Sequence, residues 1–312
     1  MITWGVMKLS VLSLLAGMML SAFPARMESQ DTLKVNVDLV NVQFSVTDRR
    51  GRFIPGLKQE DFVLQEDGKR QDILHFAREN ELPLTIGMLV DTSPSVRPVF
   101  EEEKDTAESF LESILKPNDL AFVIGFDRSV TLVQDLTDRP RLLKAAIDDL
   151  QIGGGTSVYD AVYLACKEKL AHEAGRKTII LISDGEDTTS KTKFFEALVA
   201  AHQSDTVIYA ISNSPHGFFA RGAAAGGGGD PGTLRKFSEE TGGATFFVDR
   251  PGSFQRIFDE IAQELRSQYS LGYISTNSTK DGKFRQIKIV PRDSNYMIRA
   301  RKGYYAPKDR DR

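Results

Sequence analysis

Five oxygen-bearing side chains stand where apolar runs of the sequence end. Asp91, Ser93 and Ser95 lie in "LVDTSPSV", directly after the aliphatic run "PLTIGMLV". Thr156 sits in "IGGGTSVYDA", and Asp184 closes "TIILISDGEDT". No histidine or cysteine joins them, and an all-oxygen set selects a hard cation. Magnesium asks for six oxygens in a near-regular octahedron at about 2.0–2.1 Å and keeps some waters, so hydroxyls with one or two carboxylates suffice. We therefore expect Mg²⁺ or Mn²⁺ here. With Ser93, Ser95 and Thr156 binding through their hydroxyls, and Asp91 and Asp184 acting partly through water, the ion keeps one place free. An Asp or Glu carboxylate from a partner protein is the expected sixth ligand. Zinc is disfavoured, because His75, His172, His202 and His216 fall on different elements without ligand spacing.

The elements around these residues place them at one edge. From Pro83 to about Gln268, strands alternate with helices: "PLTIGMLV", "DLAFVIGF", "SVTLVQ", "KTIILIS", "DTVIYAIS" and "ATFFV" are mostly continuous in apolar residues, as in a parallel sheet covered on both faces. Helical stripes fill the gaps: Phe110, Leu111, Ile114 and Leu115; Leu142, Leu143, Ala146, Ile147 and Leu150; Phe254, Ile257, Phe258, Ile261 and Leu265. In an open α/β sheet, ligands bind at the carboxyl ends of the strands, which is where all five oxygens fall. The acidic run "EEEKD" at 101–105 opens the first helix and reads as a solvated face. Glu186 and Asp187, followed by "TTSK", read as helix-start residues.

The flanks read as β-strands. Before the α/β region, at 33–80, "LKVNVDLVNVQFSV" changes phase at Leu39-Val40, and "DFVLQEDGKRQDILHF" forms a hairpin around Asp67-Gly68. After it, at 269–306, come "YSLGYIS", "FRQIKIV" and "YMIRARKGYY", with a turn at Asp281-Gly282 and a charged tail at 307–312. Neither flank has enough strands to bury a hydrophobic face alone. The expected fold is thus a doubly wound, mainly parallel α/β domain, 83–268, inserted in a small β-sandwich built from both flanks.

Composition narrows the function. With 40 basic against 43 acidic residues and a net charge of −3, the chain offers no basic stripe for nucleic acid. "MKLSVLSLLAGMMLSAFPA" has one lysine, a short apolar run and then small residues, the layout of a secretory signal, here 1–25, with cleavage after Ala22 or near Ala25. An uncleaved anchor is the alternative. The expected location is exported: periplasmic, cell-surface or secreted, with no membrane span once the signal is removed. Cys166, the single cysteine, shares a stripe with Val158, Ala161, Val162, Ala165 and Leu170, so packing is its expected role, not thiol chemistry. The glycine-rich segment 214–232 reads as a loop and lacks the Gly-Lys-Ser/Thr ending of a phosphate cradle.

"DTSPS", "GGGTS" and "ISDGED" together resemble the metal-ion-dependent adhesion site of von Willebrand factor type A domains, whose pattern is Asp-x-Ser-x-Ser, a distant Thr and an Asp after a later strand. The resemblance spans residues 83 to about 268. It implies a doubly wound sheet with Mg²⁺ or Mn²⁺ at its top and ligand capture through that ion, with Asp91, Ser93 and Ser95 in the first loop, Thr156 in the second and Asp184 in the third. The flanking "DFVLQEDGKRQDI", "YSLGY" and "RARKGYY" are similar to those of exported bacterial proteins that carry a related domain. Metal-dependent protein binding, or adhesion, is the leading function. A metal-braced structural module of the cell envelope is an alternative. So is a Mg²⁺-dependent hydrolase, although positions 93 and 95 are serines where such an enzyme needs a second carboxylate, and no Gly-x-Ser-x-Gly elbow appears. Any one serine alone could equally be a helix cap.

Overall fold

The computed structural model describes residues 39–78, 82–213, 229–250 and 252–308. Every described residue lies in one compact unit, Asp38–Arg312. The signal-like segment, most of the glycine-rich stretch and the end of the charged tail lie outside the described residues.

A six-stranded sheet forms the centre. Its strands are β5 (Leu84–Asp91), β6 (Leu120–Phe126), β7 (Val130–Thr137), β8 (Arg176–Ser183), β9 (Thr206–Ser212) and β10 (Thr245–Phe247). They lie in the order β10-β9-β8-β5-β6-β7. All pairs are parallel except β6–β7, so "SVTLVQ" is an antiparallel edge. The chain runs outward from β5 to β7, then returns to β8 on the other side of β5. That reversal makes the carboxyl ends of β5 and β8 the topological switch point, where a crevice opens in such sheets.

Both faces of the sheet are covered. Helices α1 (Phe100–Ile114), α2 (Pro140–Asp148) and α6 (Ser253–Leu265) pack with Ile86, Met88, Ile180 and Ile182. On the opposite face α3 (Val158–Leu164), the π-turn Ala165–Leu170, α4 (Phe194–Gln203) and α5 (Pro231–Thr241) pack with Leu89, Ile179 and Leu181. Gly87 lets β5 approach the Phe122 ring: a Cβ at this position would lie 2.5 Å from Phe122 Cζ.

Three local expectations are corrected. Leu142 is 41% exposed, while Leu143, Ala146 and Ile147 turn inward. The spacing i, i+3, i+4 keeps those three on one face and leaves their neighbour at 142 on the side. Glu103, read as part of a solvated face, is fully buried. Glu186 and Asp187 do not start a helix, because α4 begins at Phe194, with Lys193 at its N-cap.

The flanks interleave in two four-stranded antiparallel sheets. Their strands are β1 (Leu39–Thr47), β2 (Phe62–Glu66), β3 (Lys69–Gln71) and β4 (His75–Arg78) from the first flank, and β11 (Tyr269–Ile274), β12 (Phe284–Pro291), β13 (Met297–Ala300) and β14 (Gly303–Tyr305) from the second. The orders are β13-β1-β11-β4 and β14-β12-β2-β3. Between them Val42, Phe44, Leu64, Tyr269, Leu271, Tyr273 and Ile287 form one core. The β2–β3 hairpin turns at Asp67 and Gly68, whose φ values of 48° and 76° match the left-handed turn that this residue pair favours. The doubly wound sheet with antiparallel sheets from its flanks agrees with the fold expected from sequence.

Candidate metal centre

Asp91 is the last residue of β5 and fully buried. Its Oδ1 accepts the Ser93 backbone N–H at 2.8 Å, and its Oδ2 accepts the Ser183 hydroxyl at 2.6 Å. These donors only partly offset desolvation, which pushes the carboxyl up to about 6, with the Asp184 charge adding to the rise. No cationic side chain is among the groups that act on Asp91. A buried carboxylate without a cationic partner is costly unless something else supplies positive charge.

Ser93 precedes a single 3₁₀ turn, Pro94–Val96, and Ser95 sits within it. Their hydroxyls bond each other at 2.9 Å. Neither hydroxyl caps a helix: Ser93 makes no side-chain cap bond, and the N-cap of α1 is Val99. The capping alternative is therefore not what the local geometry shows. Ser93 is buried and Ser95 exposed, so the pair spans the boundary between the sheet edge and solvent.

Asp184 follows β8, next to β5 in the sheet, and its Oδ1 accepts the Glu186 N–H at 3.0 Å. Gly185 takes φ of 83° and Gly229 lies against Asp184, where a Cβ would sit 2.3 Å from the Asp184 carbonyl oxygen. Thr156 is buried, and main-chain groups fix its loop: its N–H donates to Thr188 Oγ1 at 2.9 Å, and its carbonyl accepts the N–H groups of Thr188 and Thr189 at 2.9 and 3.0 Å. The same loop meets the first one where Gly153 N–H donates to the Thr92 carbonyl at 2.8 Å. Asp127, just past β6, accepts from Gly154 N–H at 3.3 Å, and a Cβ on Gly153 would fall 1.6 Å from its Oδ2.

Hydrogen bonds thus tie Asp91, Ser93 and Ser95 together, Asp184 acts electrostatically on Asp91, and Thr156 sits on a loop bound to the first. Sequence reasoning missed Ser183, Asp127 and Glu103. Glu103 takes a hydrogen bond from Asn213 Nδ2 at 2.9 Å, and burial raises its carboxyl to about 8, with Asp91 adding to the rise. Its spacing to Ala107, Phe110 and Ile114 along α1 was the available signal. Among the described residues no group of three or more His, Cys, Asp or Glu could hold a metal, so a cation here must rely on hydroxyls. The donor set of two carboxylates and three hydroxyls fits a hard cation and not a thiolate or imidazole site.

Residues 86–186 match the family model described as the von Willebrand factor type A domain. This stretch is a von Willebrand factor type A domain. A solved type A domain from Catenulispora acidiphila is 12% identical, with a TM-score of 0.50 over 88% of this chain and 76% of that one. The protein BatB from Bacteroides thetaiotaomicron is 19% identical, covering 59% of this chain and 100% of that chain, with a TM-score of 0.47. Proximal thread matrix protein 1 from the mussel byssus is 18% identical over 60% of this chain and 46% of its own, with a TM-score of 0.48. At 12% identity the likeness to the Catenulispora domain is one of fold alone. No curated protein matches the chain. Within this type A domain the switch point between β5 and β8 coincides with the oxygen cluster, and no described helix is long and apolar enough to cross a membrane.

Proposed function

We propose that the rim of the type A domain holds Mg²⁺ or Mn²⁺ on Asp91, Ser93, Ser95, Thr156 and Asp184, and that the protein uses it to capture an acidic side chain of a protein partner outside the cytoplasm. The observation that carries this reading is Asp91: fully buried, given two hydrogen bonds but no cation, beside two hydroxyls that no cap consumes. When bound, the ion supplies an electrophilic site for an incoming carboxylate. Ser183 and the Ser93 amide orient Asp91, the main chain of Thr188 and Thr189 holds the Thr156 loop, and exposed Ser95 marks the side from which a partner approaches.

The test is thermal. Millimolar Mg²⁺ should raise the melting temperature and EDTA should reverse the rise, by about 1.4 kcal/mol at ten times the dissociation constant. Asp91→Asn should fold yet ignore the metal, and partners retained from envelope extract in Mg²⁺ should be released by EDTA. An unchanged melting curve at millimolar metal would refute the site. A metal response without any EDTA-sensitive partner would leave the metal-braced module as the function.

A further inference from the structure

The opposite end of the type A sheet, away from the rim, meets the sandwich across a small polar cavity of about 50 Å³. Lys177 of β8, His202 of α4, Asp205 and Thr206 line one side, and Gln43 of β1 and Arg301 line the other. Arg301 is the hinge of this contact: its Nη1 pairs with Asp205 and its Nη2 donates to the Asn41 carbonyl. One positive and one negative charge thereby cancel. The Lys177 ammonium has no ion pair or side-chain hydrogen bond among the described residues, so the cavity wall carries a cation with no partner in contact.

Three polar atoms in this wall are buried and without a partner: Arg301 Nε, His202 Nδ1 and Gln43 Oε1. The Arg301 side chain is only 9% exposed, so its Nε–H cannot turn to bulk water for a replacement. Burial lowers Lys177, with Asp205 opposing the shift and Arg301 adding to it. Burial brings His202 to about 4, again with Arg301 lowering it, against Glu240 and Asp205. The Glu240 carboxylate is itself paired with Lys302 at 3.0 Å.

We propose that this cavity binds a small inorganic anion of halide size, held by Lys177 Nζ and Arg301 Nε–H, and that the anion braces the sandwich against the type A domain. The site is independent of the rim metal. A halide supplies the missing acceptor for Arg301 and the missing counter-charge for Lys177, and the volume exceeds what a single particle of that size needs. Water alone would satisfy Arg301 and Gln43 but would place no anion beside the Lys177 ammonium.

Bromide is the probe. Crystals of the full chain grown in sodium bromide should show an anomalous peak in contact with Lys177 and Arg301; water there with no bromide peak overturns the proposal. In solution, with ionic strength and Mg²⁺ held constant, replacing gluconate by chloride or bromide should raise the melting temperature by about 2–4 °C. Lys177→Met should lose the peak and the shift. Equal melting in the two salts, or a shift unaltered by Lys177→Met, overturns it. Should Lys177→Met fail to fold, the bromide map of the unaltered protein still decides.

Discussion

Asp91 carries opposite consequences for the ion-free fold and for the proposed binding of an ion. Its carboxyl is raised from 3.8 to about 6, so the ion-free fold loses stability as pH rises through that window and keeps it below 3.8. Asp91→Asn should therefore stabilise the ion-free protein at pH 7, on the order of 2–3 kcal/mol, while abolishing the response to Mg²⁺. Urea titrations with EDTA present check the first half and melting with Mg²⁺ the second. In the unaltered protein the Mg²⁺ response should fade below about pH 6, because protons then compete for the same oxygens. Glu103 follows the same sign: its stability contribution declines from pH 4.5 up to about 8, so Glu103→Gln should flatten the pH dependence of stability. A paired substitution isolates the Thr156 loop. Gly153→Ala meets Asp127 at 1.6 Å and should weaken metal binding, whereas Gly154→Ala meets nothing within 4 Å and should not. At this scale the sequence reveals residues that lie next to strand ends, such as Asp91 and Asp184. It hides Ser183 as a donor and Asn213 as the partner of Glu103, since tertiary contact alone brings those pairs together.

The elements were readable where one periodicity ran without interruption. The stripe Val158, Ala161, Val162, Ala165, Cys166 and Leu170 is buried throughout, although the helix changes to a π-turn at Ala165. Burial raises the Cys166 thiol to about 12, consistent with a packing role. Periodicity failed where two apolar residues adjoin, as at Leu142-Leu143, and where charge masked a buried position, as at Glu103. It also says nothing of contacts between elements. The Glu264 carboxylate of α6 is buried, accepting from Ser45 of β1 at 2.7 Å and from Arg299 of β13 at 2.6 Å. This joins the last helix packed on the central sheet to the sandwich. Ser45→Ala and Arg299→Ala should each cost about 1–2 kcal/mol in urea unfolding, and their double variant should differ from the sum, since both serve one carboxylate.

In the whole molecule, the sandwich exists only when both flanks are present. β1 pairs with β11 and β13, and β2 pairs with β12, all from beyond the type A domain. A chain ending at Gln268 should therefore leave residues 39–78 open to protease, while the full chain protects them. This much followed from counting strands too few to bury a face; which strands pair, and the polar seam under the sheet, did not, because register depends on partners over two hundred residues away. The most direct measurement is a Mn²⁺ titration followed by the electron paramagnetic resonance of the free ion. Loss of that signal to one site per chain is expected, reversed by excess Mg²⁺ and absent in Asp91→Asn. Full free-ion signal in excess protein, or equal loss in Asp91→Asn, would contradict it.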